Sequence, residues 1–172
     1  MVTEVVRLSR AQAELELELL EIEAEGIETG ELYASLRAIK LPREVAARLE
    51  ALAEVSRRIG DKVIAVGRII VMKLLEFIRR NPAMAAGMAL GAAVSVLVNA
   101  VPMLGNLLAP VALVIGVAIG GIAGHRLDKG VFDTSASIIN IAQDALEIAR
   151  DFFVMLIALF SAVASELAGS AA

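Results

Sequence analysis

Residues 81–124 read NPAMAAGMALGAAVSVLVNAVPMLGNLLAPVALVIGVAIGGIAG, 44 consecutive residues without a formal charge. A helix needs about 20 apolar residues to cross the hydrocarbon of a bilayer, so this run has room for two spans. Val101-Pro102-Met103-Leu104-Gly105-Asn106 sets a proline, a glycine and an asparagine near its middle, where a hairpin needs its turn. The pattern predicts one helix from about Ala83 to Val101 and a second from about Leu107 to Gly124. Asn106 is placed to cap the second, and Pro110 falls in its first turn, where backbone N–H groups lack helical partners anyway. Arg79 and Arg80 precede the first span, Arg126 and Lys129 follow the second, and the turn has no base. By the positive-inside rule both chain ends are expected on the cytoplasmic side of a cell membrane. A buried hairpin in a soluble form that inserts later is the alternative.

Both arms carry small residues at every fourth position. The first has Ala83, Gly87, Gly91, Ser95 and Asn99; the second has Ala112, Gly116, Gly120 and Gly124. Residues four apart share a helix face, and small ones let backbones approach closely in lipid. Gly87, Gly91, Ser95, Gly116, Gly120 and Gly124 are therefore the expected packing positions, within one chain or between copies of a homo-oligomer. Ser95 and Asn99, the clearly polar side chains of the first span, are candidates to line a pore. The pattern over 83–124 resembles the glycine-zipper membrane segments of small bacterial membrane proteins, and that resemblance implies self-association in a bilayer.

Outward from the hairpin the charge is segregated. Residues 1–42 carry nine acids and four bases, whereas residues 43–80 carry five acids and nine bases. In the basic part, Val45, Leu49, Leu52, Ser56, Ile59, Val63, Val66, Ile70, Leu74 and Phe77 step by three or four with no proline after Pro42. This spacing predicts a single amphipathic helix over 42–80, about 55 Å long, with bends at Gly60 and Gly67. Its last part is expected in the headgroup region or against the acidic head. Arg68, Lys73, Arg79 and Arg80 are candidate membrane-interface residues, together with Arg126 and Lys129.

The acidic head, residues 1–41, has eight glutamates and no base between positions 11 and 31. Its alternating Glu-Leu stretches suggest a strand. Yet Glu, Leu and Ala favour helix, and Leu8, Ala11, Leu15, Leu19 and Ile22 fit one helix face. Gly26 and Gly30 mark the expected end. In a ring of subunits Glu14, Glu18, Glu21 and Glu25 would concentrate cations before a pore. Residues 126–172 form the last region. Asp133-Thr134-Ser135 reads as a helix start, and Phe152 to Ser165 is too short for an untilted third span. We expect an amphipathic helix on the membrane surface or against the stalk.

The chain has no Cys and a single His, His125, expected as a solvated interface residue. It shows no nucleophile elbow, phosphate loop or zinc spacing. We therefore expect no enzyme, metal site or cofactor. A net charge of −4 and 3% aromatic residues weigh against nucleic acid as a partner. The opening residues Met1-Val2-Thr3-Glu4 lack a basic stretch before an apolar run, so an internal segment is expected to direct membrane entry. The fold expected is all-α: a membrane protein with a central transmembrane hairpin, 81–125, between long amphipathic helices. The function expected is an oligomeric pore or ion channel, including a membrane-disrupting toxin or defence effector, with the lipid bilayer, further copies of the chain and cations as partners. Amphipathic helices around a long apolar hairpin resemble pore-forming bacteriocins in pattern. The alternative is a non-conducting anchor or scaffold that recruits a partner through its cytoplasmic helices.

Overall fold

A capping box opens the first helix. The Ser9 hydroxyl accepts from the Gln12 N–H at 3.2 Å, and the Gln12 side chain accepts from the Ser9 N–H at 3.0 Å. The structure, a computed structural model, describes residues 7–115 and 135–167. Helix α1 (Arg10–Glu25) stops at Gly26 and is followed by α2 (Thr29–Ala38) and α3 (Arg43–Ala53). Strands β1 (Arg57–Ile59) and β2 (Lys62–Ile64) pair antiparallel, Arg57 opposite Ile64 and Ile59 opposite Lys62. Then come α4 (Val66–Arg80), α5 (Ala86–Ala100), a 3-10 turn (Pro102–Leu104) and helical residues 105–115, here α6. Helix α7 (Ser135–Ala162) and the short α8 (Ala164–Leu167) complete the description. The described chain is mostly helical.

The expected single helix over 42–80 is instead two helices joined by a β-hairpin. Gly60-Asp61 is the cause. Gly60 has φ 62°, and no other described residue has a positive φ, so this two-residue loop follows the type II′ pattern of tight hairpins. The chain thereby folds α4 back onto α3. Contact is so close at Gly67 that an added Cβ would lie 1.7 Å from the Leu52 carbonyl oxygen, while the Gly67 N–H donates to the Val55 carbonyl at 3.0 Å. The apolar seam survives the break. Val45, Leu49, Leu52, Ile59, Val66, Ile70, Leu74 and Phe77 are all buried, and Val63 is 49% exposed.

Helix α4 is the centre of the fold. Ten of its 15 residues are buried, and it packs on α1, α2, α3 and α5. It therefore lies in the protein interior with α1 of the acidic head against it, not at an exposed headgroup surface. Phe77 stacks at 5.2 Å on Phe152 and at 5.4 Å on Phe153, tying α4 to α7. Arg80 covers this cluster, its guanidinium 5.7 Å from the Phe152 ring. Helix α7 runs along α5, with Phe153, Leu156, Leu159 and Phe160 buried.

Helix α1 is turned differently from expectation. The buried positions are Ala13, Leu17 and Ala24, whereas Leu15, Leu19 and Ile22 are 58%, 52% and 67% exposed. Because Leu alternates with Glu over 14–19, two apolar lines are available, and the one with the smaller residues faces the core. Among the described residues the buried set contains no polar or charged side chain.

The hairpin turn lies where the sequence puts it, at Pro102–Leu104. The chain enters α6 directly from this turn at residue 105, ahead of the cap expected at Asn106. Among the described residues, no helix is long and apolar enough to cross a membrane. Helix α5 has 15 residues, about 22 Å against a hydrocarbon core of about 30 Å. Helix α7 has 28 residues but carries Asp144, Glu147, Arg150 and Asp151 in its middle. The expected second arm beyond residue 115, with Gly116, Gly120, Gly124, His125, Arg126 and Lys129, lies outside the described residues.

Candidate functional site

The register of α5 separates its two faces. Ala89, Leu90, Ala93 and Leu97 are buried among α4 and α7. The small-residue line lies on the other side: Gly87 and Gly91 are half-buried, and Ser95 and Asn99 are exposed. Packing within the described chain thus uses alanine, leucine and valine, with the glycines at its half-buried edge. Ala112, on the second arm, is also exposed.

Beside this line a groove of about 880 Å³ runs between α5 and α7. Ser95 and Asn99 enter it from α5; Arg150, Val154, Ile157 and Ser161 enter it from α7. Its lining on α7 runs from Leu146 to Ala162, 16 positions apart on one helix, so the groove extends about 24 Å along the axis. Arg7, before α1, also lines it. Its charged lining among the described residues is therefore cationic, and the rest is aliphatic, hydroxyl or amide. That lining suits an apolar body with a polar or anionic end. It offers no nucleophile–base pair and, among the described residues, no cluster that could hold a metal.

At the turn the outward side is apolar. Leu113 is 70% exposed and Met103 41%, with Pro102, Ala109, Pro110 and Ala112 also exposed around them. Inward, α6 buries Leu107, Leu108, Val111 and Ile115. This 3.6-residue periodicity on an uncharged helix turns one apolar face to the core and leaves an exterior face that is apolar apart from the exposed Asn106.

The acidic candidates are largely engaged within the chain. Glu14 pairs with Arg10 at 3.0 Å, Glu18 pairs with Lys62, and the Glu21 carboxylate accepts from the Ala65 N–H at 3.2 Å. Glu25 is exposed. These partners hold α1 against the β-hairpin and the start of α4, so the four do not stand together as a single open carboxylate cluster.

The basic candidates divide in the same way. Arg68 donates from Nε to the Ala24 carbonyl at 2.9 Å, from Nη1 to the Thr29 hydroxyl at 3.0 Å, and from Nη2 to the Ile27 carbonyl. It closes the end of α1 and the corner into α2. Lys73 pairs with Glu76 at 3.0 Å, and Arg80 with the same Glu76 at 2.9 Å. Arg79 is exposed.

Two shifted groups mark the same outer shell. Hydrogen bonding to Glu54, the chief cause, raises the Tyr33 phenol above its usual value of 10.0. Arg10 is raised first by its hydrogen bond to Glu14 and then by the charge of Glu166, which it pairs with across the start of α1 and α8.

Sequence reasoning missed the β-hairpin, although Ile59-Gly60-Asp61-Lys62-Val63-Ile64 carries a Gly-Asp hairpin signal. It also missed the outward turn of Leu15, Leu19 and Ile22, which flanking glutamates do not signal, since the buried Leu17 likewise lies between Glu16 and Glu18. Comparison with protein-family models, with curated proteins and with solved structures finds no match to this chain.

Proposed function

We propose that this chain acts at a lipid bilayer, engages it through the uncharged hairpin, and assembles there with further copies into a pore or ion channel. The observation that carries the reading is the apolar, charge-free outer side of the turn, with Leu113 70% exposed and Met103 41% exposed. An uncharged apolar surface of this kind is a contact site for lipid or protein. The half-buried glycine line of α5, ending in the exposed Ser95 and Asn99, supports assembly and a polar lining. Helix α5 is too short to span as it stands. A spanning arm would require Pro82 to Ala85 and Val101 to join it, giving 20 residues over 82–101, about 30 Å. Proline suits the first position of such a helix.

The test uses the full chain and dye-loaded vesicles of phosphatidylcholine and phosphatidylglycerol. The expected result is co-flotation with the vesicles and dye release. Exchanging Met103→Glu and Leu113→Glu together should leave the melting temperature within about 3 °C, because both side chains are on the surface, and should abolish flotation and release. Gly91→Leu should weaken the oligomer on native gels. Failure of the parent chain to float overturns the bilayer reading. Flotation with tight vesicles overturns the pore and leaves the non-conducting scaffold, a second reading favoured by the exposed apolar line on α1.

A further inference from the structure

Helix α1 presents a second apolar face that nothing in the described fold covers. Leu15, Leu19 and Ile22 are spaced by four and three, the step of a coiled-coil seam, and are 52–67% exposed. The side facing the core is a different one, carrying Ala13, Leu17 and Ala24. Single exposed leucines are ordinary surface features. Three in seam register on one well-capped, four-turn helix make a continuous ridge about 10 Å long from Leu15 to Ile22.

Glutamates border the ridge on both sides. Glu16 and Glu23 each follow a seam residue, and Glu18 and Glu25 each precede a seam position. Glu18 is held by Lys62, whereas Glu16, Glu23 and Glu25 are exposed. In coiled coils these flanking positions choose the partner by charge. A second copy docking through the same ridge would set glutamate against glutamate. An anionic bilayer would be repelled in the same way. We infer that this ridge is a docking surface for a basic amphipathic helix of another protein, which would lay leucine-type side chains between Leu15, Leu19 and Ile22 and set lysine or arginine against Glu16 and Glu23. This is helix-on-helix recognition with anchors at i, i+4 and i+7.

The inference rests on the scaffold reading of α1 and is separate from the bilayer reading, which the vesicle assay tests through the hairpin. The probe is a labelled synthetic helical peptide with leucine at seam positions and lysine at the flanks, titrated with the full chain by fluorescence anisotropy. Saturable binding is expected. The same peptide with glutamate flanks should bind at least tenfold more weakly. Leu15→Ser, Leu19→Ser and Ile22→Ser together should also weaken binding at least tenfold. Glu16→Lys with Glu23→Lys keeps the ridge and should invert the preference, so that the glutamate-flanked peptide binds better; this charge swap keeps the test independent of any instability in the triple variant. Equal binding of both peptides, or no inversion, overturns the inference. A dimer of the full chain that the triple variant dissociates also overturns it, because a second copy would then occupy the face. So does flotation on phosphatidylcholine vesicles that the triple variant abolishes.

Discussion

Gly67 lies at the tightest point of the molecule. Any side chain there would meet the Leu52 carbonyl at 1.7 Å, a backbone atom that cannot swing aside. Gly67→Ala should therefore separate α3 from α4 and lower stability by about 3 kcal/mol, read as the midpoint of urea unfolding. Tyr33 allows a sharper reading, because it is the single tyrosine in a chain without tryptophan. Its phenol donates to the Glu54 carboxylate, and that bond raises its pKa. The native state thus holds the proton more tightly than the unfolded state. The contribution to stability is complete below pH 10 and is lost as pH rises through the raised native value. Tyrosinate absorbance should titrate above the ordinary midpoint in the native protein and return toward it in Glu54→Gln. An unchanged titration in that variant would assign the shift to another cause.

At the scale of elements, Arg68 decides how the acidic helices meet the core. One guanidinium supplies three donors to the end of α1 and the corner into α2. Arg68→Ala leaves the Ala24 and Ile27 carbonyls without this donor. Stability should fall by about 2 kcal/mol in chemical denaturation, and amide exchange should quicken at residues 24–30 before it does in α4. The elements also mark what could be read in advance. The stop at Gly26, the turn at Pro102–Leu104 and the apolar seam through Val45, Leu49, Ile70 and Leu74 follow from local chemistry, and the sequence carries them openly. The break in the 42–80 helix is harder to read: the Gly60-Asp61 pair signals it, but the step of three or four continues through Ile59, Val63 and Val66. A short strand pair preserves that spacing while reversing the chain. The facing of α1 was hidden for another reason. With leucine at alternate positions, hydrophobicity alone prefers the larger side chains inside, whereas close packing of α1 on α4 and α7 favours Ala13 and Ala24.

For the molecule as a whole, the charge segregation along the chain becomes complementarity in space. The acidic head lies on the basic segment through Glu18–Lys62 and the Arg68 contacts, and Arg37 pairs with Glu50 at 3.4 Å between α2 and α3. Such exposed pairs are worth at most about 1 kcal/mol each, so they orient helices that apolar burial holds together. Of the candidate site, the glycine line, Ser95 and Asn99 could be located from sequence as one face. That this face is turned outward beside a groove could not, because its inward competitor, Ala89, Ala93 and Leu97, is equally apolar. The wholly apolar interior of the described residues has a consequence for opening the fold. In most proteins, prying helices apart in oil strands buried hydroxyls and amides that have lost their partners. Here the fully buried side chains of the parted surfaces are aliphatic and aromatic alone. For its buried side chains, hydrocarbon is a solvent chemically equivalent to the protein's own interior.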